Sequence, residues 1–220
     1  MNLVTANIPL PWLWSLWLAG AGLAGLLAFR ARWSMLADTR NLNVFLAATV
    51  AVLGLWLIKT GIKPGLSFHL LGATALTLMF RPLFALLAIA LVSSALALWN
   101  GDWAALPGNW LLMGAVPVAV SWALYRFIDG KLPNHLFIYV FLNAFFGAAL
   151  AILSVGVAST AFAALTGAYA LDYLLAEYLP YYLLMAWSEA FATGMALTVM
   201  VVYKPEWVAT FDDRRYLFNK

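Results

Sequence analysis

The chain has 220 residues, 65% of them hydrophobic and 10% charged, with a net charge of +3 and no cysteine. Its mean hydropathy is +0.92, so composition alone places most of it in a bilayer and leaves no room for a separate soluble catalytic or ATPase domain. The lack of cysteine excludes disulfides, thiolate metal sites and cysteine nucleophiles, and so small a charge gives no footing for nucleic acid.

The first eleven residues, MNLVTANIPLP, are uncharged and contain Pro9 and Pro11. They read as an extended, partly buried outer segment. Nothing basic precedes the first apolar run, so a signal peptide is not expected. Seven apolar runs follow: Trp12–Phe29, Leu42–Ile58, Phe68–Phe80, Leu83–Trp99, Asn109–Phe127, His135–Val157 and Leu179–Tyr203. In the first run, Trp12, Trp14 and Trp17 form an interfacial anchor. Gly20, Ala21, Gly22 and Gly25 give the same run a small-residue face suited to close helix packing.

The third and fourth runs flank Arg81-Pro82. Fused, their 32 residues would make a helix of about 48 Å, too long for one crossing, with an arginine in mid-membrane. Two spans joined by a tight turn are expected instead. The 36 residues from Leu136 to Leu171 carry no formal charge and would reach about 54 Å as one helix. One span followed by a re-entrant or interfacial segment, Ala158–Tyr178, is predicted there. Asp172 and Glu177 fall in that segment and are expected to be solvated. The end of the chain, YKPEWVATFDDRRYLFNK, reads as an interfacial cap. The expected organisation is an outer segment 1–11, a transmembrane bundle 12–203 and a cytoplasmic tail 204–220.

Threading seven spans with the N-terminus outside puts Arg30, Arg32, Arg40, Arg81, Arg126, Lys131, Lys204, Arg214, Arg215 and Lys220 on the cytoplasmic side, and only Lys59 and Lys63 outside. Ten cations against two is the bias that sets orientation during insertion. The predicted fold class is an all-α integral membrane protein, a seven-helix bundle with its C-terminus in the cytoplasm. The predicted location is a bacterial inner membrane.

Three stretches, read in order, resemble one family. Gly65-Leu66-Ser67-Phe68-His69-Leu70-Leu71-Gly72-Ala73, followed by Arg81-Pro82, is similar to the family's Ser/Thr, His-Leu-Leu-Gly, apolar helix and Gly-Pro-like break. Gly108-Asn109-Trp110-Leu111-Leu112-Met113-Gly114 is similar to its Ala-Asn-x-x-x-Met-Gly. Glu189-Ala190-Phe191-Ala192-Thr193-Gly194 is similar to its Glu-Ala-x-x-Thr-Gly. The chain resembles the substrate-capture membrane subunits of energy-coupling-factor transporters for cobalt and nickel. Asn7-Ile8-Pro9 falls where that family begins Met-His-Ile-Pro. The resemblance implies seven spans, an outside N-terminus, Co²⁺ or Ni²⁺ as transported substrate, and no tightly bound cofactor. It also implies a transmembrane coupling subunit and a pair of cytoplasmic ATPases as partners. The metal would sit on the N-terminal amine, the backbone nitrogen and imidazole of a histidine at position two, and the histidine of the third span, an all-nitrogen set that suits Ni²⁺ and Co²⁺.

This chain departs from that pattern at its beginning. Position two is Asn2, and Asn7 precedes the alignable Ile-Pro. Of the four nitrogen donors, the imidazole of His69 alone is clearly in place. His135 is expected at the opposite membrane face and so cannot share a metal with it. His69 is therefore a metal or substrate contact, or a structural histidine bonding a neighbouring loop. Glu189 sits inside the last run, where a carboxylate is costly. It is either functional or a tie between helices near Thr193. Asn109 either caps the fifth span or holds the N-terminal segment, and Asn7 is a further candidate near the substrate. Two functions follow: a metal-capturing transporter subunit, or a metal-site-deficient relative that acts as a structural or assembly subunit of a membrane complex. An enzyme is not expected, because no nucleophile and base occur at recognisable spacing.

Overall fold

The structure, a computed structural model, describes residues 3–217. The protein is an all-α membrane protein with one short hairpin. Its helices are α1 Leu10–Arg30, α2 Thr39–Leu57, α3 Ala73–Asn100, α4 Leu106–Lys131, α5 Leu136–Leu165, α6 Leu171–Glu177, α7 Tyr181–Tyr203 and α8 Asp213–Tyr216. Among the described residues, six of these (α1–α5 and α7) are long and apolar enough to cross a membrane. The strands β1 Thr60–Lys63 and β2 Leu66–Phe68 pair antiparallel between α2 and α3.

Local chemistry sets the helix starts. Pro9 precedes α1 and Pro11 lies in its first turn, where a missing N–H costs nothing. The Asp38 carboxylate accepts the Arg40 N–H at 3.1 Å and starts α2. His135 caps α5, its Nδ1 accepting from the Phe137 N–H at 3.1 Å. Within the bundle α3 is the most enclosed helix and α1 the least. The expected close-packing face of α1 is used at Gly20, where an added Cβ would lie 2.9 Å from Pro107; Gly22 and Gly25 face open space.

α3 is two helices, residues 73–80 and 82–100, separated at Arg81, whose φ of 65° and ψ of 168° are not helical. Pro82 supplies no N–H and disfavours helix at the residue before it. The break leaves the carbonyls of Leu78 and Met79 without helical donors, and the end of the chain supplies them. Met79 O accepts from the Ala209 N–H at 2.9 Å, and Leu78 O accepts from the Thr210 N–H at 3.2 Å and from its hydroxyl at 2.7 Å. With that proton given away, Thr210 Oγ1 accepts from the Tyr139 hydroxyl at 2.7 Å.

Three expectations change. The third apolar run does not begin a helix at Phe68: Leu66–Phe68 is a strand, and the helix starts at Ala73. The turn at Gly65 (φ 81°) and the left-handed Gly72 (φ 64°) hold residues 65–72 out of helical geometry. The sixth run does not end at Val157, and no re-entrant segment follows. α5 continues to Leu165 because Val155, Ser159, Thr160 and Ala163 stay buried, and the chain turns at Gly167 (φ 69°) into the short α6. The tail, read as an interfacial cap, packs Val208, Thr210, Phe211 and Tyr216 into the bundle and leaves Lys204, Glu206, Asp212 and Arg214 exposed; its last three residues, Lys220 among them, lie outside the described residues. Asn109 does not cap its helix: α4 begins at Leu106, and Ala105 holds the cap position.

The two ends of the described chain lie on opposite faces. Leu3 and Thr5 bond to Asn109 and Asp102, whereas Arg215 pairs with Asp129 at 2.9 Å. Asn109 and Asp129 are separated along α4 by about 30 Å of helix.

α5 and α7 meet at Gly156, where an added Cβ would stand 2.5 Å from the Tyr182 ring. That ring cannot withdraw easily, because its hydroxyl bonds to Tyr178 at 2.7 Å in a buried pair. Gly156→Ala is therefore expected to destabilise the protein by about 1–3 kcal/mol through overpacking, read as a lower melting temperature in detergent.

Candidate functional site

The site is built on residues 69–72, where the chain leaves the hairpin and descends into the bundle as non-helical backbone. Such backbone is tolerated at membrane depth only where protein satisfies its polar groups. Glu189, on α7 and 2% exposed, does this: Oε2 accepts the Leu71 N–H and Oε1 the Gly72 N–H, each at 2.7 Å. These N–H groups open α3, so the carboxylate also meets the positive end of a helix. From α2, the Trp56 indole N–H donates to Leu71 O at 3.0 Å. Gly72 is required twice over, by its positive φ and by Val52, which would lie 2.8 Å from a Cβ.

His69 begins this segment. It is 4% exposed, and its ring lies 4.6 Å from the Trp56 ring, tilted by 43°. Nδ1 is 3.1 Å from Leu70 O. A carbonyl can only accept, so Nδ1 carries a proton, and in the neutral ring the lone pair is on Nε2. This is the tautomer in which an imidazole ligates a cation or accepts a hydrogen bond.

Asn109 and Asn7 serve the N-terminal segment. The Asn109 side chain takes the Leu3 N–H at 2.6 Å and donates to Leu3 O at 3.1 Å, pairing with the backbone as a neighbouring strand would. Asn7 Nδ2 donates to Pro64 O, in the hairpin turn, at 3.3 Å, and the Tyr169 hydroxyl donates to the same oxygen at 2.6 Å. Asp102 accepts both the N–H (3.0 Å) and the hydroxyl of Thr5. The four predicted residues thus form two pairs: His69 and Glu189 fix the two ends of segment 69–72, and Asn7 and Asn109 fix the N-terminal segment. Beside the N-terminal segment lies a cavity of about 270 Å³, bordered by Leu3, Trp56, Lys59, Asp102 and Asn109. Trp56 is shared, one of its faces against His69.

Trp56 and Asp102 are missing from the sequence-derived set. Trp56 is one of eleven tryptophans and carries no distinguishing spacing, and Asp102 reads as a loop acid after Gly101. Among the described residues no group of three or more His, Cys, Asp or Glu is placed to hold a metal ion. Met1 and Asn2, on which the resemblance would put further nitrogen donors, lie outside the described residues. His135 caps α5 at the other face, and Asp172 and Glu177 are exposed.

Removing the Glu189 carboxylate strands two buried N–H groups. Glu189→Ala is expected to cost at least about 2 kcal/mol, and Glu189→Gln, which keeps one acceptor, less. Thermal melts in detergent check this ordering; equal melting temperatures for all three proteins would remove Glu189 as the anchor of the segment.

Among curated proteins, none matches the chain significantly. One solved structure, described as "Crystal Structure of an transition metal transporter", superposes with a TM-score of 0.75 at 19% identity, over 91% of this chain and 92% of that one. A second, described as "Crystal Structure of an Truncated Transition metal Transporter", gives a TM-score of 0.77 at 19% identity, over 92% and 99%. The bundle is therefore a fold already seen in proteins so described. The sequence profile of the CbiM family, cobalt uptake substrate-specific transmembrane region, matches residues 2–207, and the chain belongs to that family.

Proposed function

We propose that the protein is the substrate-capture membrane subunit of an energy-coupling-factor-type transporter, and that its cargo is a transition-metal cation, cobalt or nickel. In this reading the chain crosses a bacterial inner membrane seven times, the two halves of α3 counting separately. The N-terminal segment faces outward and the tail faces the cytoplasm, beside a coupling subunit and ATPases. Membership of a cobalt-uptake family over residues 2–207 carries the proposal. The placement of the chain ends on opposite faces supports an odd number of crossings, and the segregation of cations supports the sidedness. His69 is the protein's own cargo contact: it is buried, its tautomer is set by Leu70 O, and it lies close to the cavity beneath the N-terminal segment.

A second reading is favoured by a specific observation. Asn7 stands where the family has histidine and spends its side chain on Pro64, and no three-ligand cluster forms among the described residues. A relative that kept the fold and lost the metal would act as a structural or assembly subunit.

Calorimetric titration of the purified protein with Ni²⁺ and Co²⁺ separates the two. Capture predicts binding at micromolar affinity or tighter, weakened at least about tenfold in His69→Ala, since a lost ligand removes well over 1.4 kcal/mol. Heat from neither ion, or titrations unchanged by the substitution, would select the second reading.

A further inference from the structure

At the opposite face lies a polar cavity of about 310 Å³ that plays no part in the site above. Arg81, Trp122, Tyr125, Arg126, Asp129 and Thr210 border it. Its one carboxylate, Asp129, is already neutralised, since Oδ1 takes Arg215 at 2.9 Å and the Tyr216 hydroxyl at 3.1 Å. Burial, with Tyr125 and Asp129 nearby, pushes the Tyr216 hydroxyl well above its ordinary range, so it stays a neutral donor to that carboxylate. Two guanidinium groups remain. Arg81 makes one long contact, to Ala209 O at 3.5 Å, and neither arginine has a carboxylate partner among the described residues. The turn does not require an arginine at position 81. Its backbone, at φ 65° and ψ 168°, is one that glycine adopts most easily, and Arg81 is the single non-glycine residue with positive φ among the described residues.

We propose that this cleft binds a phosphate group, carried by an anionic phospholipid of the adjoining leaflet. Two guanidinium groups bordering one cavity supply the charge and the planar donors that phosphate oxygens accept. The volume holds a phosphate with its waters, each water taking about 30 Å³. The surroundings are those of a membrane interface: Trp122 stacks on Tyr125 at 5.2 Å and 29°, and Phe127, beside Arg126, is 63% exposed. Basic pockets between spans at this level are headgroup sites. The cleft is also closed on one side by Thr210, whose backbone carbonyl accepts from the Tyr125 hydroxyl at 3.2 Å. A bound phosphate would therefore rest against the segment of tail that caps residues 73–80.

The test is native mass spectrometry of the full chain released from nanodiscs of phosphatidylcholine containing a minor fraction of phosphatidylglycerol. Phosphatidylglycerol is expected to be retained in preference to phosphatidylcholine. Arg126→Gln and Arg81→Gly should each reduce that preference by about fivefold, the worth of one basic side chain at a membrane surface. Arg81→Gly removes the guanidinium while giving the turn the residue its backbone favours. Its melting temperature in neutral detergent should be no lower than that of the parent, which separates loss of binding from loss of fold. A parallel arm adds inorganic phosphate to protein in pure phosphatidylcholine nanodiscs. Retention of the ion there, with the same loss in both variants, would support the phosphate site and assign its ligand to the aqueous phase. No preference for phosphatidylglycerol together with no retained phosphate, or retention unchanged in both variants, would overturn the proposal.

Discussion

A buried peptide group must be paired, and in this protein the demanding groups are the N–H of Leu71 and of Gly72. Leu71 and Gly72 are buried in the protein, where no water competes and each unpaired donor costs several kcal/mol. One carboxylate on a distant helix satisfies both, one oxygen each. Without Glu189, two buried N–H groups at the entry to α3 would be left without their acceptor. A carboxylate in hydrocarbon is itself costly. Two charge-assisted hydrogen bonds and the positive end of α3 offset that cost, so each feature is stable only in the presence of the other.

The same logic applies at the far end of the first half of α3. Residues 73–80 form a helix of about 12 Å, well short of the roughly 30 Å of a hydrocarbon core. Such a short piece has as many unmet backbone groups at its ends as a long one. The N–H groups of Leu71 and Gly72, just before it, go to Glu189, and its last carbonyls go to Ala209 and Thr210. One continuous stretch of chain, α7 and the turn after it, thus serves both termini. This explains why Val208, Thr210 and Phe211 are buried in a tail whose charged side chains are exposed or half-buried: the backbone of the tail completes the end of that helix. The non-helical segment 65–72 leads from the hairpin into this short helix.

What could be read from the sequence follows from which interactions are local. The break at Arg81-Pro82 was legible because a cation and a proline act on their own residues. The caps at Asp38 and His135 are local too. Leu66-Ser67-Phe68 was not legible as a strand: the residues are as apolar as the helix that follows, and what keeps them out of it is a turn glycine on one side and Glu189, more than a hundred positions away, on the other. The continuation of α5 past Val157 was hidden for the same reason, since nothing in 158–165 marks a helix except the face it buries. Asn109 was ambiguous by residue type, as asparagine serves equally well as a helix cap or as a mimic of backbone. The contact with Leu3 decides for the second, and only the resemblance had offered it.

Segment 69–72 is held from two sides. Trp56 fixes its carbonyl from α2 and Glu189 fixes its N–H groups from α7. His69, at the head of the segment, therefore takes its position from the relation between those two helices as well as from the hairpin. The N-terminal segment is clasped separately, by Asn109, Asp102 and, through the hairpin turn, Asn7. The indole of Trp56 touches both assemblies, lying against the imidazole and bordering the cavity below Leu3. Its N–H is committed to Leu71, so it can offer a cation only its ring face. Because the segment is tied to both helices, a displacement of α2 against α7 would break either the indole bond or the carboxylate pair.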